Sequence, residues 1–257
     1  LQDLPKAELH LHLEGSVEPE TMRELDPSLT LEEIDQRYRY GDFQEFIESY
    51  KWVLERLREP GHFALIARRL LNRLASENVR YAEITLSAGV ILLRRQDFGG
   101  IFEAVRREAA ASPVRVFWIL DAVRQLGPKH ALEVAELAAG LADQGVVGFG
   151  VGGSEGLGAT EWFGGAFRFA RSRGLHLVAH AGETMGPESV WGALKLGAER
   201  IGHGIRAVED RALLDHLRER DIPLEICISS NVATGAVRSL AEHPVRRIFE
   251  AGVPIVI

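Results

Sequence analysis

The sequence predicts an α/β fold, a (β/α)8 barrel of the TIM type with a helical cap between its first and second strands. Three observations predict it: eight short apolar or β-branched runs, amphipathic helical segments between them, and a length of 257 residues, close to the ~250 of one such barrel. The first strand is expected at residues 7–13, where Leu9, Leu11 and Leu13 face one way and His10 and His12 the other. The rest are expected at 79–86, 114–120, 146–151, 175–180, 200–205, 223–229 and 253–257. Helices are expected at 98–111, 130–144, 160–173, 188–196 and 209–220, where apolar residues recur three and four apart. Residues 17–78 are too long for an ordinary strand-to-helix connection and carry helical patterns at 43–58 and 62–77, so they are expected to cap the barrel within a single domain, 1–257. An open doubly wound sheet would need a glycine-rich turn after its first strand, and Glu14-Gly15-Ser16 stands there instead. The glycines of 148–158 follow the fourth strand and mark backbone that must turn or approach something closely.

Composition narrows the partner. Apolar residues make up 46% and charged residues 26%, the balance of a chain that buries a core. Thirty basic residues against 37 acidic ones leave a net charge of −7, which argues against nucleic acid or an anionic membrane and favours a small molecule. Cys227 is the only cysteine, so there is neither an internal disulfide nor a Cys-x-x-Cys pair, and a reducing cytoplasm is the expected compartment. No apolar run reaches the ~18 residues of a membrane span. Leu1-Gln2-Asp3 opens no signal peptide.

Two inward-facing imidazoles at the carboxyl end of a first barrel strand lie where barrel active sites are built. On its own a His-x-His pair is equally a pair of hydrogen-bonded structural histidines. His180-Ala181-Gly182-Glu183 closes the fifth strand and Gly202-His203-Gly204 lies in the sixth, so further titratable groups reach the same rim. Imidazoles from strands one and five suit Zn²⁺, Glu183 is better placed for proton transfer than for ligation, and His203 suits orientation of an activated water.

The stretch Leu4-Pro5-Lys6-Ala7-Glu8-Leu9-His10-Leu11-His12-Leu13-Glu14-Gly15-Ser16 resembles the opening signature of the adenosine deaminase family of metal-dependent hydrolases. Gly152-Gly153-Ser154-Glu155, His180-Ala181-Gly182-Glu183, Arg200-Ile201-Gly202-His203-Gly204 and Ser229-Ser230-Asn231 follow in the family's order. The resemblance implies one zinc ion per chain, held by His10, His12 and His180. It implies that Glu183 protonates purine N1, that His203 holds the attacking hydroxide, and that the Gly153 amide meets purine N3. The reaction implied is hydrolytic deamination of a 6-aminopurine nucleoside with release of ammonia. Related binuclear barrels carry a bridging lysine on strand four; residues 146–153 contain none, which favours one metal over two. The family also supplies an aspartate ligand in an Asp-Asp pair directly after strand eight. The sequence ends at Ile257, in the run-up to that pair, so the resemblance assigns the pair and the last helix to residues beyond it.

Substrate identity rests on finer features. Glu14 stands where adenosine deaminases have an aspartate for the ribose 5′-hydroxyl, and adenine deaminases often have glutamate there. Segments 78–90 and 119–127 look most like the branch acting on 6-aminodeoxyfutalosine in menaquinone biosynthesis. That substrate carries a carboxylate, for which Arg124 is a candidate partner, against the plainer expectation of an exposed surface arginine. Adenosine or adenine deaminase is the alternative, and an inactive purine-binding barrel a further one. A phosphoesterase of the polymerase-and-histidinol-phosphatase type also begins with His-x-His, but needs ligands near strands two and three that the sequence lacks. Cys227 is expected to be a small packed side chain, and Trp52 a packed aromatic rather than a ligand-stacking one.

Overall fold

The computed structural model describes residues 3–257; Leu1 and Gln2 of the opening tripeptide lie outside the described residues. By internal contacts the chain forms two compact units, 1–118 and 119–257, and the boundary falls inside the third strand.

The first unit opens with β1 (Lys6–His12), followed by α1 (Pro19–Leu25), α2 (Leu31–Arg37), α3 (Phe43–Leu54) and α4 (Pro60–Ser76). Next come β2 (Val79–Leu86), α5 (Ala88–Leu93), α6 (Phe98–Ala110) and the start of β3 (Arg115–Val123). Local chemistry sets these boundaries. Thr30 and Glu33 cap α2 reciprocally, Asp42 and Asp97 accept the Glu45 and Gly100 amides in the first turns of α3 and α6, and proline occupies the first turn of α1 and α4. β1 pairs in parallel with β2, aligning Leu11 with Ile84 and His12 with Thr85. α4 packs on α6, and Phe63, Ile66, Leu70, Ile101 and Val105 are buried. Each such side chain contributes roughly 1.5–3 kcal/mol. Where periodicity suggests two helices in 17–78, four form; α1 and α2 are seven residues each, too short for a period of 3.6 to stand out. Trp52 is packed as expected, with the Arg56 guanidinium 4.1 Å over its ring and Tyr38 edge-on.

The second unit continues β3 into α7 (Gly127–Gly140), β4 (Val146–Gly152), α8 (Gly164–Ser172), β5 (His176–Ala181) and α9 (Pro187–Leu196). It ends with β6 (Arg200–His203), α10 (Arg211–Glu219), β7 (Leu224–Glu225), α11 (Ile228–Ala233), α12 (Val245–Glu250) and β8 (Ile255–Val256). β4, β5 and β6 pair in parallel, aligning Val151 with Ala179 and Ala181 with His203. Phe149 of β4 is wholly buried, edge-on to Phe167 of α8 at 5.3 Å. One sheet holds all eight strands in chain order, which with parallel pairing and intervening helices is the (β/α)8 barrel topology.

Three strands are shorter than expected: the eighth covers Ile255–Val256 rather than 253–257, and the sixth and seventh end early for identifiable reasons. The sixth stops at His203 rather than 205, because His203 and Gly204 both turn into the left-handed region at φ 65° and 64°. The seventh covers two residues rather than 223–229. From Ile228 the chain turns helical, with the Asn231 amide donating to the Cys227 carbonyl at 2.8 Å. The 160–173 helix is split, a 3-10 turn at Thr160–Phe163 preceding α8. Among the described residues no helix is long and apolar enough to cross a membrane.

Candidate active site

In the first unit, β1 delivers His10 and His12 to one side of the strand, their ring centroids 5.6 Å apart. Burial, with His10 beside it, lowers the His12 pKa to about 3, so its imidazole is neutral, the form that binds a metal. Glu14 opens the 3-10 turn that follows and has no exposed surface. Its Oε1 accepts from the Ser87 amide at 2.9 Å, and its Oε2 from the Ser87 and Tyr50 hydroxyls, each at 3.2 Å. Burial raises its pKa against the opposing pull of these donors. Tyr50 lies on α3, so a helix of the 17–78 stretch reaches the residue that sequence reasoning assigned to substrate.

In the second unit, β5 ends on His180-Ala181 and the chain swings through Gly182 at φ 65°. A Cβ at Gly182 would lie 2.6 Å from a Val190 methyl, so only glycine makes this turn. The turn presents Glu183, 5% exposed, and burial together with the charge of Glu155 pushes its pKa up to about 8. His203, at the end of β6, holds its Nε2 3.5 Å from Glu183 Oε2, and its ring lies 5.5 Å from that of His180. Thus His180, Glu183 and His203 meet at adjacent strand ends, as the sequence anticipates. Gly153 directly follows β4 at φ 89°, where a Cβ would collide with the Gln125 side chain. Cys227 is half-buried.

Sequence reasoning missed Glu155, Asn231 and His243 as positioning groups. Glu155 accepts the amides of Gly182, Glu183 and Thr184 at 2.7, 2.9 and 2.8 Å, and the Ser189 hydroxyl as well. One buried carboxylate thereby organises the whole turn that carries Glu183. The Asn231 side-chain amide lies 3.0 Å from His203 Nδ1, and His243 Nε2 lies 3.2 Å from Asn231 Oδ1. The sequence signal for Glu155 is its place in the Gly152-Gly153-Ser154-Glu155 motif after a glycine-rich strand, which marks the residue but not its task. Asn231 stands in the Ser229-Ser230-Asn231 motif, which marks its place but not its role, and His243 has no signal beyond residue type.

Arg124 departs from both expectations. It is neither exposed nor offered to a ligand's carboxylate: it is 1% exposed, and its guanidinium donates to the His180 carbonyl at 2.9 Å and the Gly158 carbonyl at 3.3 Å. Burial lowers its pKa against the attraction of Glu155 and Asp121. Its contacts make it a brace for the end of β5.

A pair of imidazoles on one strand, a third imidazole, a carboxyl group that keeps its proton at neutral pH and a further histidine beside it are the parts of a metal-assisted hydrolase. The adenosine deaminase family model matches residues 5–257. An aminodeoxyfutalosine deaminase of Streptomyces coelicolor is 41% identical, covering 99% of this chain and 69% of that protein. An adenine deaminase of Agrobacterium fabrum is 35% identical over 99% of this chain and 81% of its own length. Among solved structures, an adenine deaminase from Arthrobacter aurescens superposes with a TM-score of 0.89 at 30% identity, covering 98% of this chain and 80% of that one. A zinc-bound amidohydrolase from Burkholderia ambifaria superposes at 0.85 with 27% identity, covering 98% and 74%.

Proposed function

This chain belongs to the adenosine deaminase family and is a hydrolase acting on C–N bonds of cyclic amidines; from that premise we propose that it deaminates a 6-aminopurine nucleoside with the help of one zinc ion, its substrate being 6-aminodeoxyfutalosine. The observation that carries the reaction is Glu183, a buried carboxyl 3.5 Å from His203. Water adds to C6, N1 gains a proton, and loss of ammonia leaves the 6-oxopurine. Glu183 gives the proton to N1 as C6 becomes tetrahedral, which requires a carboxyl still protonated at neutral pH. His203 orients the attacking water against the purine face. The Gly153 amide donates to N3 and fixes the ring, and Glu14 holds the sugar side.

His10, His12 and His180 are metal-donor candidates among the described residues and would hold the ion. Three imidazoles suit zinc, and the zinc-bound relative supports the choice of metal. Such an ion supplies Lewis acidity that makes water nucleophilic at neutral pH. The reach of Tyr50 from α3 to Glu14 supports reading 17–78 as a cap over the substrate. Two aminodeoxyfutalosine deaminases at 41% and 40% identity support the nucleoside and a place in menaquinone biosynthesis. Free adenine is the second reading, favoured by Glu14 and by the adenine deaminases at 35–36%.

Metal content tests the ligand set. Alanine at His10, His12 or His180 should lower bound zinc well below one per chain, while alanine at His203 should leave it unchanged. Full zinc retention in all three ligand variants would contradict the assignment.

A further inference from the structure

The histidine beside Glu183 is held by a chain of hydrogen bonds whose direction is set at one backbone amide. The Val245 N–H, at the first turn of α12, can only donate, and it lies 3.1 Å from His243 Nδ1. His243 Nδ1 is therefore an acceptor, and its proton sits on Nε2, which points at Asn231 Oδ1 from 3.2 Å. The Asn231 carbonyl oxygen is thus the acceptor, and its NH2 group faces His203 Nδ1 at 3.0 Å. An amide NH2 only donates, so His203 Nδ1 must accept and the His203 proton resides on Nε2, the nitrogen 3.5 Å from Glu183 Oε2. All three side chains are buried: Asn231 has no exposed surface, His203 5% and His243 7%. Water therefore competes little for these bonds. Burial also lowers the His243 pKa, in keeping with a neutral ring that has one donor and one acceptor nitrogen.

The geometry points to His243 as a positioning residue that, through Asn231, fixes His203 in its Nε2–H tautomer with the acceptor nitrogen turned away from the reaction. His243 acts through Asn231, the side chain its Nε2 meets. α11 carries Asn231, which reaches His203 from the helical turn that replaces the end of the seventh strand.

The test is nitrogen-15 NMR of histidine-labelled protein, with His203→Asn used to identify the His203 signals. The native protein should show His203 with an unprotonated Nδ1 and a protonated Nε2. His243→Leu removes the donor to Asn231 and should give a mixture of His203 tautomers. His243→Gln, whose carbonyl can accept from Val245 and whose NH2 can donate to Asn231, should restore the native signature. Asn231→Asp replaces the donor with an acceptor and should move the proton to Nδ1, which keeps the proposal testable if His243→Leu folds poorly. A protonated Nδ1 in the native protein, or an unchanged tautomer in both His243→Leu and Asn231→Asp, overturns the proposal. The kinetic corollary rests on the deaminase reading: kcat should fall roughly 10- to 100-fold in His243→Leu with KM little changed, and recover in His243→Gln. The tautomer measurement needs no turnover, so a native protein that releases no ammonia would refute the deaminase reading and still leave the relay decided by its spectra.

Discussion

A carboxyl group that keeps its proton at neutral pH needs a dry site and a negative neighbour, and Glu183 has both in its burial and in Glu155. Its pKa in the fold, about 8, lies above the ordinary 4.5, so the folded state binds its proton more tightly than the unfolded chain does. The sign follows: the contribution to stability is fully present below about pH 4.5 and is lost as pH rises toward about 8. Denaturant titrations of the metal-free protein across that window should show falling stability, and Glu183→Gln should flatten the fall. The same substitution should lower kcat by roughly 10²- to 10⁴-fold, the usual size of a lost general acid. At this scale the sequence is legible where spacing alone decides. His10 and His12 need only a strand to share a face, and His180, Glu183 and His203 need only to close successive strands. Glu155 is not legible, because it binds backbone amides 27 to 29 residues away, and any residue type can supply an amide. Arg124 is misread for a related reason, since its partners are carbonyls, which sequence cannot mark.

The turn at 182–184 is the element most dependent on one side chain. Glu155→Gln keeps the shape of the carboxylate but replaces one acceptor oxygen with a donor facing N–H groups. Hydrogen exchange at Gly182, Glu183 and Thr184 should then quicken, while exchange in α10 stays as it is. Removing the Glu155 charge also withdraws one cause of the raised Glu183 pKa, so the alkaline fall in rate should move to lower pH. In the layer behind the turn, Phe149→Ala should cost roughly 3–5 kcal/mol, read as a shift in the denaturation midpoint, because the wholly buried ring packs on Phe167. Strands β1 to β5 lie close to where hydrophobic runs place them. β6 and β7 stop early because two left-handed residues and a helical turn reshape their ends for His203 and Asn231, and apolar content does not report φ. Boundaries such as Asp210 capping α10 are local and readable; short helices such as α1 and α2 carry too little period to be seen.

For the whole molecule, strand order was the most legible feature, because alternation of strand and helix leaves few topologies and parallel strands joined through helices favour a barrel. Family and reaction class were legible through motif order, and the family match over 5–257 bears them out. Substrate choice was not, since it depends on which groups around Glu14 meet the part of the ligand beyond the purine. Glu14 already accepts from Ser87 and Tyr50, so Tyr50→Phe should raise KM for a nucleoside more than for free adenine if the cap helps to read the sugar. Steady-state kinetics on both ligands checks this, and equal effects would remove the cap from substrate selection. The most direct test of the central claim is ammonia release by the zinc-loaded protein offered 6-aminodeoxyfutalosine, adenosine and adenine in parallel, with Glu183→Gln as control. The account predicts release fastest from 6-aminodeoxyfutalosine and nearly abolished by the substitution. No release from any of the three, or release that Glu183→Gln leaves unchanged, would contradict it.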